Sequence, residues 1–436
     1  MVKVNPCNVV IVVYHAVISH IGVTSHIKPA TILGVVEGKE GIPQIFVSHL
    51  YPEGNCSALF KCIVVQGIGE FGMTGVSVGT EVGVQYLSFA GGIRGCRFCQ
   101  AGYVYRPVRN RGKDLCLEYC IDSCNDSGYQ EVTLSSLSTS DYPPLTELCD
   151  DLETFCAERH VNLSLPSLRA DNFSMELMQR LAKGRKTGLT FAPEAGSQRL
   201  RDVINKNVTL DDLLQSCRTA FAGGYSAVKL YFMLGLPTET DEDVLAIADV
   251  AARVMHAWRE SAQNKQRGIR ITVSTSYFVP KPHTAFQWEP QITREEYERR
   301  VKLLREAITT KTVTYNWHDG ETSFLEAVLA RGDRKLGKVL ETAWRKGAHL
   351  DTWDDYFDLS RWEEAFEECG VDPAFYAYRQ RERSEVVPWA MIDSGVHTGY
   401  LWRERNKAFE GVTTPDCRTN CNACGANCLV GGKCDV

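Results

Sequence analysis

The first 91 residues of this 436-residue chain contain no arginine and no aspartate; the first of each are Arg94 and Asp114. Four of the ten histidines (His15, His20, His26 and His49) fall in the same stretch. Val-Gly runs such as Gly75-Val-Ser-Val-Gly79 show neither helical nor clean strand periodicity. Two readings of residues 1–91 stand: a β-rich, low-charge accessory domain, or the product of a shifted reading frame. The chain also lacks an apolar run of membrane-spanning length, and its N-terminus lacks the basic, apolar, small-residue order of a signal peptide. A cytoplasmic protein is expected. Nor is there an excess of basic charge, because 48 Lys and Arg stand against 54 Asp and Glu, a net charge of −6. That balance leaves no electrostatic footprint for nucleic acid or an anionic membrane.

Cysteine, in contrast, is plentiful. Seven of the seventeen lie in two tight groups, two at 96–99 and five at 417–434, and such clustering favours metal binding over a disulfide framework. The first group lies in Gly92-Ile-Arg-Gly-Cys96-Arg-Phe-Cys99-Gln-Ala-Gly-Tyr-Val-Tyr105, a glycine-punctuated loop that presents two thiols from one turn. Taken alone, this spacing suits a redox pair, half of a zinc site or part of an iron–sulfur site. The second group, Cys417, Cys421, Cys424, Cys428 and Cys434, sits on a Gly- and Asn-rich tail. Cys417, Cys421 and Cys424 have C-x3-C-x2-C spacing. Either an iron–sulfur cluster or zinc suits so soft a ligand set.

Between the groups the sequence alternates strand and helix signals. Short β-rich runs at Glu131–Leu134, Val161–Pro166, Gly188–Pro193, Ala227–Leu234 and Ile271–Val279 are separated by helical patterns. Hydroxyl N-caps with a carboxylate three residues on open helices at Thr209-Leu-Asp-Asp212, Thr240-Asp-Glu-Asp243 and Thr293-Arg-Glu-Glu296. Cys116, Cys120 and Cys124 recur every fourth residue and read as a buried helix stripe rather than a metal site. Arg106 to Arg111 reads as a solvated basic loop in a chain that is acidic overall. The turn Ser135-Ser-Leu-Ser-Thr-Ser-Asp141 places hydroxyls, Ser136 and Ser138 among them, after a strand, where they can bond a polar ligand. Glu194, at a strand end before Gly196 and Ser197, is placed to grip a ribose, or else to face a helix N-terminus. His283 and Trp288 fall in a stiffened loop expected to face substrate. Residues 316–410 turn Trp-rich and helical, a pattern of aromatic packing.

The run Arg-Gly-Cys96-Arg-Phe-Cys99-Gln-Ala-Gly-Tyr, the strand-end motifs in order and the cysteine tail resemble the radical S-adenosylmethionine (SAM) superfamily, in particular its uncharacterised B12-binding-domain-type branch. The resemblance covers roughly residues 93–436. It implies an α/β fold, a partial (β/α)6 TIM-like barrel over 92–315 with a helical extension at 316–410 and a Cys-rich tail at 411–436. In that superfamily three cysteines spaced C-x3-C-x2-C hold a [4Fe-4S] cluster. SAM chelates the fourth iron and is cleaved by one electron to a 5′-deoxyadenosyl radical that abstracts hydrogen from substrate.

The resemblance implies Cys96 and Cys99 as cluster ligands, and Phe98, Gln100, Ser136, Ser138, Glu194, Ser197, Gly235 and Val279 as cofactor-binding residues. It also implies an external reductant such as ferredoxin or flavodoxin and an unidentified substrate. Cys417, Cys421, Cys424 and Cys434 are the expected ligands of a second cluster or zinc. The first position of the leading triad falls on Gly92, which has no donor atom. In the neighbouring frame the codons of Leu87–Gly91 can encode Glu-Phe-Arg-Gly, the kind of sequence the family carries there. No cobalamin domain is legible in residues 1–91, so cobalamin is not expected.

Overall fold

The computed structural model describes residues 94–108, 110–127, 131–135, 139–164, 189–266, 268–431 and 434, together with four upstream strands. These are β1 (Thr31–Glu37), β2 (Pro43–His49), β3 (Ile63–Val65) and β4 (Val76–Gly79). There follow α1 (Ala101–Val104), α2 (Lys113–Ser127), β5 (Glu131–Ser135), α3 (Leu145–Arg159), β6 (Asn162–Ser164) and β7 (Leu189–Glu194). Next come α4 (Gln198–Val203), α5 (Leu210–Ala222), β8 (Ala227–Leu234), α6 (Asp241–Ser261), β9 (Arg270–Tyr277), α7 (Arg294–Ala307) and β10 (Val313–Trp317). The C-terminal part is helical: α8 (Gly320–Arg331), α9 (Leu336–Arg345), α10 (Leu359–Glu368), α11 (Pro373–Ala377) and α12 (Thr398–Phe409).

β1 to β4 pair antiparallel in order, and β4, β5 and β6 then run parallel in the same sheet. The second sheet, ordered β10-β9-β8-β7, is wholly parallel. The fold is α/β, a partial TIM-like barrel. The expected last strand, 271–279, is therefore followed by one more. β10 extends the sheet through Trp317 and straddles the boundary drawn at 315.

Local chemistry accounts for the elements around the second sheet. Thr209 and Asp212 form a reciprocal capping box on α5, and Thr240 and Asp243 do the same on α6. On β8 the alternate residues Val228, Leu230, Phe232 and Leu234 are buried, and Leu213, Phe221, Val244, Ile247, Val254, Val301 and Leu304 complete the same core from α5, α6 and α7. Tyr277 and Tyr297 stack with centroids 4.2 Å apart. Cys116, Cys120 and Cys124 do form a buried stripe, joined by Cys149 and Cys156 of α3. Burial pushes the Cys156 thiol up to about 11 and raises those of Cys116, Cys120 and Cys124, so these sulfurs pack as small neutral hydrophobes. No helix among the described residues is long and apolar enough to cross a membrane.

Leu230 is fully buried at the centre of the parallel sheet. Leu230→Ala is expected to lower the free energy of unfolding by about 3 kcal/mol through lost transfer energy and a residual cavity. Urea melts of the two chains check this.

Candidate active site

Because β7, β8 and β9 are parallel, the segments that follow them emerge at one edge of the sheet: Glu194–Gly196, the turn at Gly235 and the loop from Phe278 to His283. Phe98 packs against the cluster that these segments form, which contains Ala195, Leu236, Phe278 and Phe286. The cysteine turn therefore lies over the C-terminal ends of the strands, where barrel proteins keep their sites. Within the turn the Cys99 amide donates to the Cys96 carbonyl at 3.2 Å, and Gly102 donates to Cys99 at 3.1 Å. Gln100 reaches across to the Pro282 carbonyl at 3.1 Å.

Arg97, between the two cysteines, is completely buried, and all five of its N–H groups are used. Two go to the Glu404 carboxylate on α12, two to the carbonyls of Asp202 and Val203, and one to the carbonyl of Val412. Glu404 also accepts from Lys407 and Thr414. Asn205, equally buried, donates to the carbonyls of Arg94 and Gly95 and accepts from the Thr414 amide at 2.8 Å. Asn205 and Asn207 both adopt left-handed φ, which asparagine tolerates better than most residues.

Glu194 occupies a register shift between β7 and β8 and has φ of 69°, a conformation rare outside glycine. Its carboxylate pairs with Lys206 at 3.1 Å, and the Lys206 ammonium lies 6.0 Å from the Phe98 ring centre. Both charges lie within electrostatic reach of Cys99. Burial, helped by the neighbouring Cys96, pushes the Cys99 thiol up to about 11 against the pull of the Gly102 amide and Lys206. The Ser197 hydroxyl is committed locally: it caps α4 at Leu200 and bonds Asp243. A Cβ on Gly196 would come within 2.5 Å of the Asp243 carbonyl, so glycine there lets this loop dock on the start of α6.

Gly235 has φ of 90°, and its amide is taken by the buried Glu239 carboxylate, which also pairs with Arg300. Burial pushes the Glu239 carboxyl up to about 7 against the pull of the Gly235 amide and Arg300.

Other expected residues land elsewhere. Val279 is buried in the core built by α8 to α11. Trp288 does not face a substrate: it is buried edge-on against Trp402, 5.0 Å between centroids. His283 is half-buried with left-handed φ, and burial lowers its pKa, so the imidazole is neutral near pH 7. Arg106 is not solvated but 3% exposed. Gly92, Ser136 and Ser138 lie outside the described residues. Among the described residues, no three His, Cys, Asp or Glu side chains stand close enough together to hold a metal ion as they are placed. Sequence reading missed Arg97, Asn205, Lys206 and Glu404 as site residues. Only the two asparagines around Lys206 signalled an unusual turn.

The fold and site are thus those of an α/β barrel protein with a C-x2-C turn packed on the strand ends of its parallel sheet and a Glu–Lys pair beside it. The sequence model of the Radical SAM superfamily matches residues 86–251 of this chain. Over 308 residues it is 30% identical to the uncharacterized protein MJ0966 of Methanocaldococcus jannaschii, covering 71% of this chain and 64% of that one. A second uncharacterized protein of the same organism, MJ1620, is 24% identical over 46% of this chain and 40% of its own length. The chain thus matches less than two thirds of the length of either relative. Among solved structures, SuiB of Streptococcus suis is similar at 13% identity and a TM-score of 0.38, over 56% of this chain and 51% of that one.

Two expectations follow from this geometry. Glu404→Ala leaves the Arg97 guanidinium buried without its carboxylate and should cost about 3–5 kcal/mol of stability, with Glu404→Gln costing less; urea melts measure both. Glu239 carries the second. A carboxyl whose folded pKa is raised stabilises the fold at low pH and loses that contribution as pH rises from about 4.5 to about 7. The stability of Glu239→Gln relative to that of the parent chain should therefore rise between pH 4.5 and 7; a pH-independent difference contradicts the assignment.

Proposed function

We propose that this chain carries the site of a radical SAM enzyme, at which a [4Fe-4S] cluster and SAM would bind at the Cys96–Cys99 turn and start radical chemistry on a substrate of unknown class. The observation that carries this reading is the meeting of Cys99, Glu194 and Lys206 on the strand-end edge, in a chain that this superfamily's sequence model matches. Glu194 can accept the hydroxyls of a ribose, and its left-handed backbone holds the carboxylate at the turn rather than along the strand. Lys206 supplies positive charge beside it, suited to a carboxylate, and the Phe98 ring offers an apolar face. Since the Gly235 amide is occupied by Glu239, that turn can approach a ligand only through its carbonyl edge and its lack of side chain. When bound, a cluster would supply the one-electron reduction of SAM, fed by a donor such as ferredoxin or flavodoxin. The protein's part is binding, orientation and exclusion of quenching reactions.

The donor set fits two corners of a cubane, Cys96 and Cys99, and falls one thiolate short, because glycine occupies position 92. That favours a second reading, a homologue without activity that keeps the fold and a metal-binding tail as an interaction module. We also take the tail to hold a second cluster or zinc. Gly92→Cys separates the two readings. The parent chain, reconstituted anaerobically with iron and sulfide and given SAM and a strong reductant, should form little or no 5′-deoxyadenosine, whereas Gly92→Cys should form it. Adding Glu194→Ala to Gly92→Cys should weaken SAM binding while leaving iron content unchanged. Equal cleavage by the parent and Gly92→Cys chains would show that another group supplies the third ligand, and no cleavage by either would favour the inactive reading.

A further inference from the structure

The two faces of the parallel sheet β10-β9-β8-β7 differ in character. Val228, Leu230, Phe232 and Leu234 of β8 and Ile271, Val273 and Tyr277 of β9 turn to the helices and are buried in one apolar core. The alternate residues form the inner face of the barrel, and they are mostly polar. In register across the sheet, Lys229 stands between Thr190 and Thr272, and the next layer places Ser274 between Tyr231 and Asn316. The interior of a closed barrel is ordinarily filled by layers of branched apolar side chains. Here the same positions carry hydroxyls, a carboxamide and an ammonium, and among the described residues none of these six side chains makes a hydrogen bond or an ion pair. Ser274 is 5% exposed, and a polar group so far from bulk water ordinarily has a partner.

Unpaired charge on this face is of one sign. The Lys229 ammonium is half-buried and lies 4.5 Å from the Tyr231 ring centre, with no carboxylate beside it. Arg270, the first residue of β9, is exposed on the same face, diagonal to Lys229 across the β8–β9 pair, and it too has no ion pair among the described residues. Glu194, the only carboxylate in the sequences of the four strands, stands at the end of β7 and is taken by Lys206.

We propose that this inner face binds the substrate, and that the substrate is a hydroxyl-bearing organic anion whose phosphate or carboxylate is held by Lys229 and Arg270. Two cations on adjacent strands can share one anionic group through charge-assisted hydrogen bonds. The hydroxyls of Thr190, Thr272, Tyr231 and Ser274 and the Asn316 carboxamide supply both donors and acceptors to the polar body of the ligand. Four residues separate Lys229 from Met233 near the strand end, about 13 Å at the usual rise per residue. A ligand anchored at Lys229 therefore lies lengthwise along the strands, with its far end toward the edge where Cys99 and Glu194 meet. Lys229 and Arg270 set specificity and take no part in bond breaking. Calling the ligand a substrate rests on the radical SAM reading above; that the face binds an organic anion does not.

The test is calorimetric titration of the full parent chain, without added SAM, with ribose 5-phosphate, with gluconate and with neutral ribose. One site per chain is expected for at least one of the two anions, and which of them binds identifies phosphate or carboxylate as the anchored group. Ribose should bind at least tenfold more weakly. Lys229→Met and Arg270→Gln should each weaken anion binding about tenfold, and Lys229→Arg should largely restore it. Arg253→Gln, which removes an exposed cation paired with Asp249 on α6, should leave binding unchanged. Arg270 is exposed, so Arg270→Gln decides the matter should Lys229→Met fail to fold. Binding of neither anion, equal binding of ribose, equal weakening by Arg253→Gln, or undiminished binding by Arg270→Gln would each overturn the proposal. Formation of 5′-deoxyadenosine by Gly92→Cys is measured separately: anion binding without it counts against the radical SAM reading alone, and the reverse result overturns the anion site alone.

Discussion

The site depends on one buried ion pair. Arg97 lies between the two cysteines of the turn with no path for its guanidinium to reach water, so every N–H must find an acceptor inside the protein. The carboxylate that meets it is Glu404, 307 residues away, and three backbone carbonyls take the remaining donors. A turn that would otherwise be a short exposed loop is thereby bolted to α12 and to the segment after α4. The C-terminal helices are in this sense part of the site, although none of their side chains faces the Cys96–Cys99 sulfurs among the contacts described.

The same economy appears around that bolt. Asn205 reads the backbone of Arg94 and Gly95 on one side and of Thr414 on the other, and Thr414 returns a hydroxyl to Glu404. Two residues further along, Asp416 meets Arg94, and Arg418 lies 3.6 Å from Asp141, the residue that closes the turn after β5. The cysteine turn, the post-β5 turn and the start of the tail thus share one set of charges. Any rearrangement of the tail is felt at the turn through these contacts, because buried polar networks have few alternative satisfied arrangements.

Much of the architecture was legible from residue order. Short β-rich runs located β5 to β9, and the hydroxyl–carboxylate spacing at Thr209, Thr240 and Thr293 located three helix starts, because strands and caps are set by residues adjacent or a few positions apart. The Cys116 stripe was likewise a local pattern, and its neighbours bore out a buried role. β10 was missed although Val313, Tyr315 and Trp317 alternate with Thr314 and Asn316, because a run of only five residues that ends exposed at Trp317 is a weak strand signal. Trp288 and Arg106 were misplaced for a related reason: one was judged by a proline-rich loop and the other by a run of basic residues, yet the burial of each is decided by α12, which arrives more than a hundred residues later.

By itself, then, the sequence determined the resemblance to the radical SAM superfamily, the succession of strands and helices, the two groups of thiols and the absence of a donor at Gly92. These are facts of composition and short spacing, which the chain carries whether folded or not. Tertiary structure alone decided that Lys206 stands beside Glu194, that Arg97 is neutralised by Glu404, and that Arg106 is enclosed between Tyr103 and Tyr400. Charges must be paired when burial removes water, and the partner is whichever opposite or acceptor group the fold brings within reach, a relation that leaves no period in the sequence.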